Sequence, residues 1–182
     1  MLRVNHLVGF GFGGQWLVAA EGSADSNDVN NAGVTLVNSI SAAAMLYSGS
    51  KFRLTLTPPS TGNNSNIGAM YAGHVGAGDL YDFDGTQVQV TVAGSGTITL
   101  TAGGAVVVTD EITYAIDETK AFVVAFQFPS TPASDIRYKA SPLSGWTAYY
   151  KSSVQEAATT DKTTYSTSSG SNTVVTKIEV FQ

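Results

Sequence analysis

The sequence predicts an all-β fold, an antiparallel β-sandwich of jelly-roll type with an extended apolar N-terminal arm. Three observations carry that expectation. Apolar residues recur at every second position in several short segments, as in Gln87-Val88-Gln89-Val90-Thr91-Val92, which places them on one face of a pleated strand. Turn residues separate those segments, among them Pro58-Pro59, Gly94-Ser95-Gly96 and Gly103-Gly104. Only Ser41 to Tyr47 (SAAAMLY) suits a helical turn, with Ser41 as its N-cap. Roughly eight to ten strands with almost no helix describe a sandwich built as one domain.

In chain order, Leu2 to Phe12 is an apolar strand or arm closed by Gly13-Gly14, and such a terminus is expected to dock, with Phe10 and Phe12 as contacts. The stretch Leu7 to Ala20 imitates a signal peptide, but five of its residues are Gly or Gln, which weakens an apolar helical core. Glu21 to Asn31 has loop chemistry, and Val34 to Val37 starts a short strand. Lys51 to Thr57 turns Phe52, Leu54 and Leu56 inward. Ile67 to Val75 continues as strand, its small residues implying close backbone approach.

The loop Gly76 to Gly85 leads into a hairpin formed by Thr86–Val92 and Thr97–Thr101. Val106 to Ile116 is a strand in two halves, bent at Asp110-Glu111. Ala121 to Phe128 is apolar on both faces: Phe122, Val124, Phe126 and Phe128 on one, Val123 and Ala125 on the other. Val123 and Ala125 therefore lie under another part of the chain or form a self-assembly contact. Asp135 to Ala140 is expected to pair with Trp146 to Lys151. Ser152 to Asn172 is a polar excursion, and Val174 to Phe181 closes the chain as a strand.

The chain has 182 residues, enough to bury about 70% of its unfolded surface. Only 13% are charged and the net charge is −5, without a Lys/Arg cluster. Nucleic-acid backbones and anionic membranes are poor partners for such a surface. No apolar run reaches the roughly 20 residues of a membrane-spanning helix. Cysteine is absent, which excludes disulfides and thiolate ligation.

Catalytic motifs are missing: no GxSxG, HExxH or phosphate-cradling glycine pattern occurs, and the histidines are His6 and His74 alone. His74 reads as a strand-end histidine with a satisfied hydrogen bond, or as a catalytic base. No cofactor is expected. Asp79, Asp82 and Asp84 crowd beside Gly85 and suit either a calcium ion or turns in which each carboxylate bonds its own backbone. Asp25, Asn27, Asp28 and Asn30 form a weaker group of the same kind. Trp146, Tyr149, Tyr150 and Tyr165 stand in a Ser/Thr-rich region, the chemistry of a glycan site or of packing and subunit contact.

The segments IGAMYAGH, YDFDGTQVQVTVAGSGTITLTAGGAVVVTDEITYAIDETKAFVVAFQF, WTAYYK and VVTKIEVFQ, in that order, resemble β-sandwich proteins of tailed bacteriophage and phage-like particles. The matching positions are Val108, Thr109, Asp110 and Ile112, then Phe122 to Phe128, within Ile67 to Gln182. The same pattern is similar to the non-catalytic sandwich attached to some carbohydrate-active hydrolases. What the resemblance implies is a virion structural protein, a tail or head appendage or a capsid decoration. It is expected to assemble with itself and with other virion proteins on the particle surface; contact with a host glycan is a separate expectation, from the four aromatic residues above. A free-standing carbohydrate-binding module and a small hydrolase are the alternatives.

Overall fold

The computed structural model describes residues 14–28, 30–171 and 173–182. The N-terminal arm, with Phe10 and Phe12, and His6 lie outside the described residues. The strands, in chain order, are β1 (Trp16–Glu21), β2 (Ser26–Asp28), β3 (Val34–Ile40), β4 (Gly49–Leu56), β5 (Ser65–Ile67), β6 (Ala69–His74), β7 (Val88–Gln89) and β8 (Ile98–Leu100). They continue with β9 (Val107–Val108), β10 (Ile112–Ile116), β11 (Phe122–Gln127), β12 (Ile136–Tyr138), β13 (Trp146–Ser152), β14 (Ser166–Thr167) and β15 (Val175–Phe181). A 3-10 turn at Ala42–Ala44 follows Ser41, whose side chain makes no capping bond.

Two antiparallel sheets form the sandwich. One has the order β1-β15-β4-β10, with β9 also paired to β4; the other runs β14-β13-β3-β11-β6-β7. Two ribbons, β2 with β12 and β5 with β8, complete it. The chain crosses between the two sheets from β1 to β3, β3 to β4, β4 to β6, β7 to β9, β10 to β11 and β14 to β15. The core between the sheets takes Phe52, Leu54, Leu56, Ile178 and Val180 from the first and Leu36, Ile40, Met70, Phe122, Val124 and Phe126 from the second. Alternation produces this directly, since residues named from the same strand are two or four positions apart.

Strand β11 is central. Phe122 to Gln127 pair on one side with Ile40 to Thr35 and on the other with His74 to Ala69. Its second face is closed within the chain: Val123 and Ala125, both fully buried, pack with Val37, Tyr81, Phe83 and Ala157. Val123 and Ala125 are therefore not contacts for a second copy, as one sequence reading had them. The cover comes from the loop before β7 and from the polar excursion after β13. Ala157 and Lys162 are buried there despite the polar composition around them.

Several pairings differ from expectation. Thr86–Val92 and Thr97–Thr101 do not form the expected hairpin: β7 pairs with β6 and β8 with β5, and Val92 bridges only to Ser95 in the intervening turn. β12 pairs with β2, and β13 lies between β3 and β14. Trp16–Glu21, which overlaps the end of the stretch that imitates a signal peptide, is the edge strand β1. The bend at Asp110-Glu111 does separate two strands that both pair with β4. There the Leu54 amide donates to Thr109 Oγ1, filling the gap in the ladder. Gly73 makes its close approach, since a Cβ there would stand 3.0 Å from the Gln87 Cα.

A candidate binding cleft at Tyr150

Strand β13 divides the aromatic residues between environments, because neighbouring side chains point to opposite faces. Trp146 lies opposite Ile40 and is 6% exposed, part of the core. Tyr149 turns outward and meets the Tyr81 ring edge-on at 5.2 Å. Tyr165 stacks on Tyr81 at 5.0 Å, and burial raises its hydroxyl pKa well above the usual value. Trp146, Tyr149 and Tyr165 are thus packing residues, a correction to their reading as glycan contacts. Tyr150 is opposite Leu36, on the inner side of the sheet, yet 40% exposed.

Tyr150 is open because a cleft of about 570 Å³ lies beside it. Val34, Leu36 and Ile136 form its apolar part; Tyr138 on β12 and Tyr150 on β13 both line it. Asp28, Asn30, Asn31, Ser152, Thr167, Ser168, Ser169 and Thr173 add hydroxyl, amide and carboxylate groups. Strand alternation puts Ile136 and Tyr138 on the cleft and sends Arg137 the other way, where it donates to Asn27 Oδ1 and Ser60 Oγ.

The wall carrying Asn30 and Asn31 is held by hydrogen bonds. The Asn31 amide donates to the Ser134 carbonyl at 2.7 Å. Asp135 accepts from the backbone amides of Asn30 (3.1 Å) and Asn63 (2.7 Å). Burial of Asp135 would raise its pKa, but these donors outweigh burial and hold it below the usual carboxylate value. At the end of the cleft, Asn38 donates to the Thr173 carbonyl (2.7 Å) and accepts from its amide (2.9 Å). Asn31 is 7% exposed, and its side-chain Nδ2 has no hydrogen-bond partner.

The aspartates of the 76–85 loop behave as turn formers. Asp82 Oδ2 accepts from the Asp79 amide and Oδ1 from the Lys162 amide, Asp79 accepts from Tyr81, and Asp84 from Thr86. Asp79, Asp82 and Asp84 do not converge as calcium ligands, and among the described residues no three His, Asp or Glu side chains do. The Asp25 group divides too: Asp25 pairs with Lys139, Asn27 with Ser60, while Asp28 and Asn30 line the cleft.

His74 has both ring nitrogens engaged. Nε2 accepts from the Asp117 amide at 3.1 Å, and Nδ1 is 2.9 Å from the Tyr114 hydroxyl. With Nε2 accepting, the neutral ring carries its proton on Nδ1 and donates to Tyr114.

Asn31 and Tyr138 were absent from the sequence candidates. Asn31 closes a stretch with loop chemistry, and Tyr138 lies on a strand whose sequence predicts β13 as neighbour where the structure pairs it with β2. Adjacent turn residues Asn30-Asn31 beside an alternating strand were the signal, but only the pairing of β2 with β12 brings them to Tyr150. Comparison with protein-family models and with curated proteins finds no match to the chain in either.

Proposed function

We propose that this chain is a non-catalytic surface protein of a phage-type particle, an appendage or decoration, that contacts host-cell glycan through the cleft at Tyr150. The observation that carries the glycan contact is one exposed tyrosine ring set on an apolar floor and ringed by amide and hydroxyl groups. A pyranose has apolar C–H faces and a polar edge, and such a site matches both. The virion setting draws support from the order of motifs between Ile67 and Gln182 and from the low charge of the surface. Copies of itself and other particle proteins are its proposed partners.

The test is retention of the full chain on immobilised cell-surface polysaccharide. Tyr150→Ala should abolish retention while shifting thermal stability by less than about 1 kcal/mol, because the side chain is largely outside the core. Trp146→Ala should instead cost about 3 to 5 kcal/mol, as deletion of a buried indole does. Retention that survives Tyr150→Ala removes the cleft from the reading.

A free-standing carbohydrate-binding module is the second reading, and the internal cover over Val123 and Ala125 favours it. Light scattering at micromolar concentration separates the two. A trimer or larger closed oligomer supports the particle role; a monomer near 18.9 kDa supports the module. Turnover of an ester or glycoside would overturn both and return a small hydrolase.

A further inference from the structure

We infer that residues 2–12 of one copy add as a strand to the open edge of β1 in a second copy, so that this chain assembles by exchanging its N-terminal arm. This rests on the self-assembly part of the reading above and names the surface that carries it.

The edge supplies the first argument. β1 closes one side of its sheet, and among the described residues β15 is the one strand that pairs with it. Gln15 exchanges both backbone bonds with Gln182 at 3.1 Å, so alternation turns the amides and carbonyls of Trp16 and Val18 the other way. Past Val18 the register shifts, and the Ala19 carbonyl accepts from the Leu46 amide at 2.8 Å. The opening is therefore a short stretch of backbone, a template to which an extended segment adds. Its surroundings are apolar, because Val18, Leu46 and Tyr47 are all exposed. The outer face of β11 is closed within the chain, so assembly needs another apolar surface, and these three side chains supply one.

The arm supplies the second. In Gly9-Phe10-Gly11-Phe12 strand alternation sets both phenylalanines on one face and both glycines on the other. The phenylalanine face fits the side of β1 that carries Leu17, which packs against the core. The glycine face fits the side that carries Trp16 and Val18, where the Arg53 guanidinium already stacks on the Trp16 ring at 4.4 Å. A second copy is the donor because a tight turn at Gly13-Gly14 would need the Gln15 amide to donate back to Phe12, and that amide is spent on Gln182. Fully extended, residues 1–13 span about 45 Å, enough to reach a neighbouring molecule.

The experiment uses the full-length chain. Light scattering at micromolar concentration should find an oligomer. Leu46→Asp, at an exposed position, and the double variant Phe10→Ser with Phe12→Ser should each raise the concentration of half-association at least tenfold, with glycan retention unchanged. The chain has no cysteine, so a mixture of Phe12→Cys chains and Leu46→Cys chains treated with a short bis-maleimide should give dimers holding one of each. A parent that is monomeric throughout overturns this inference together with the self-assembly reading, and glycan retention still judges the cleft. An oligomer that both variants leave undiminished overturns arm exchange while self-assembly stands. So does cross-linking that occurs within a single chain carrying both cysteines but not between chains.

Discussion

His74 ends β6 with Nε2 accepting from the Asp117 amide and Nδ1 bonded to Tyr114, so a second ring proton would set one N–H donor against another. Burial lowers its pKa below the ordinary 6.5; the Asp84 and Asp117 carboxylates oppose that fall and Lys120 adds to it. The unfolded chain therefore takes up a proton near pH 6.5 that the folded chain resists, and stability is lost as pH falls below that value. The expected outcome is a His74 imidazole that titrates below 6.5 in NMR spectra, with a urea midpoint that declines between pH 6.5 and 5. An imidazole titrating at 6.5 or above would show that the ring is not held neutral. Composition and motif absence had already favoured a bonded structural histidine. What they could not supply was the identity of the partners, which lie 40 and 43 residues away.

Strands were legible wherever one face is buried, because period-two patterning specifies the face. Phe52, Leu54 and Leu56, or Ile112, Tyr114 and Ile116, fall inside as their spacing requires. The same patterning is silent on which strand lies next door, so two local hairpins were expected where the chain uses distant partners. That is also why only Tyr150 of the four aromatic candidates reached the site: alternation separates it from Tyr149, but the ribbon that walls the cleft is a pairing across more than a hundred residues. Gly62 tests how tightly that wall is held. It has φ +90, and a Cβ there would stand close against Asp135 Oδ2, the atom bonded to the Asn63 amide. Gly62→Ala should cost more than the roughly 1 to 3 kcal/mol of backbone strain alone, and should weaken glycan retention by loosening Asn30 and Asn31. Gly85→Ala is the reference, since φ is +92 there with nothing within 4 Å of the added carbon. Equal urea-denaturation losses for the two would show that Asp135 moves aside freely.

At the scale of the molecule, the six-stranded sheet is covered twice, by the other sheet and by a layer holding Tyr81, Phe83, Ala157 and Lys162. Lys162 is 1% exposed, with its ammonium 3.8 Å from the Phe83 ring centre and donating to the Thr159 carbonyl at 2.6 Å. Burial lowers its pKa from 10.5 to about 8, against the pull of Asp82 and Glu156. Between those values the unfolded chain keeps a proton that the folded chain has released, so stability rises with pH across the window, by about 3 kcal/mol at most. Tyrosines act in the opposite sense. Tyr81, through its bond to Asp79, and Tyr114, Tyr149 and Tyr165, through burial, have pKa values raised above 10.0, and the stability they contribute below that value is lost as pH climbs through them. The urea midpoint should therefore climb from pH 8 to a maximum near 10 and then fall. Lys162→Met keeps the stem over Phe83 and removes the charge, so it should be no less stable than the parent at pH 7 and should lose the climb. A parent profile flat from pH 8 to 10 would mean that the cover opens to solvent and the ammonium is hydrated in the folded chain.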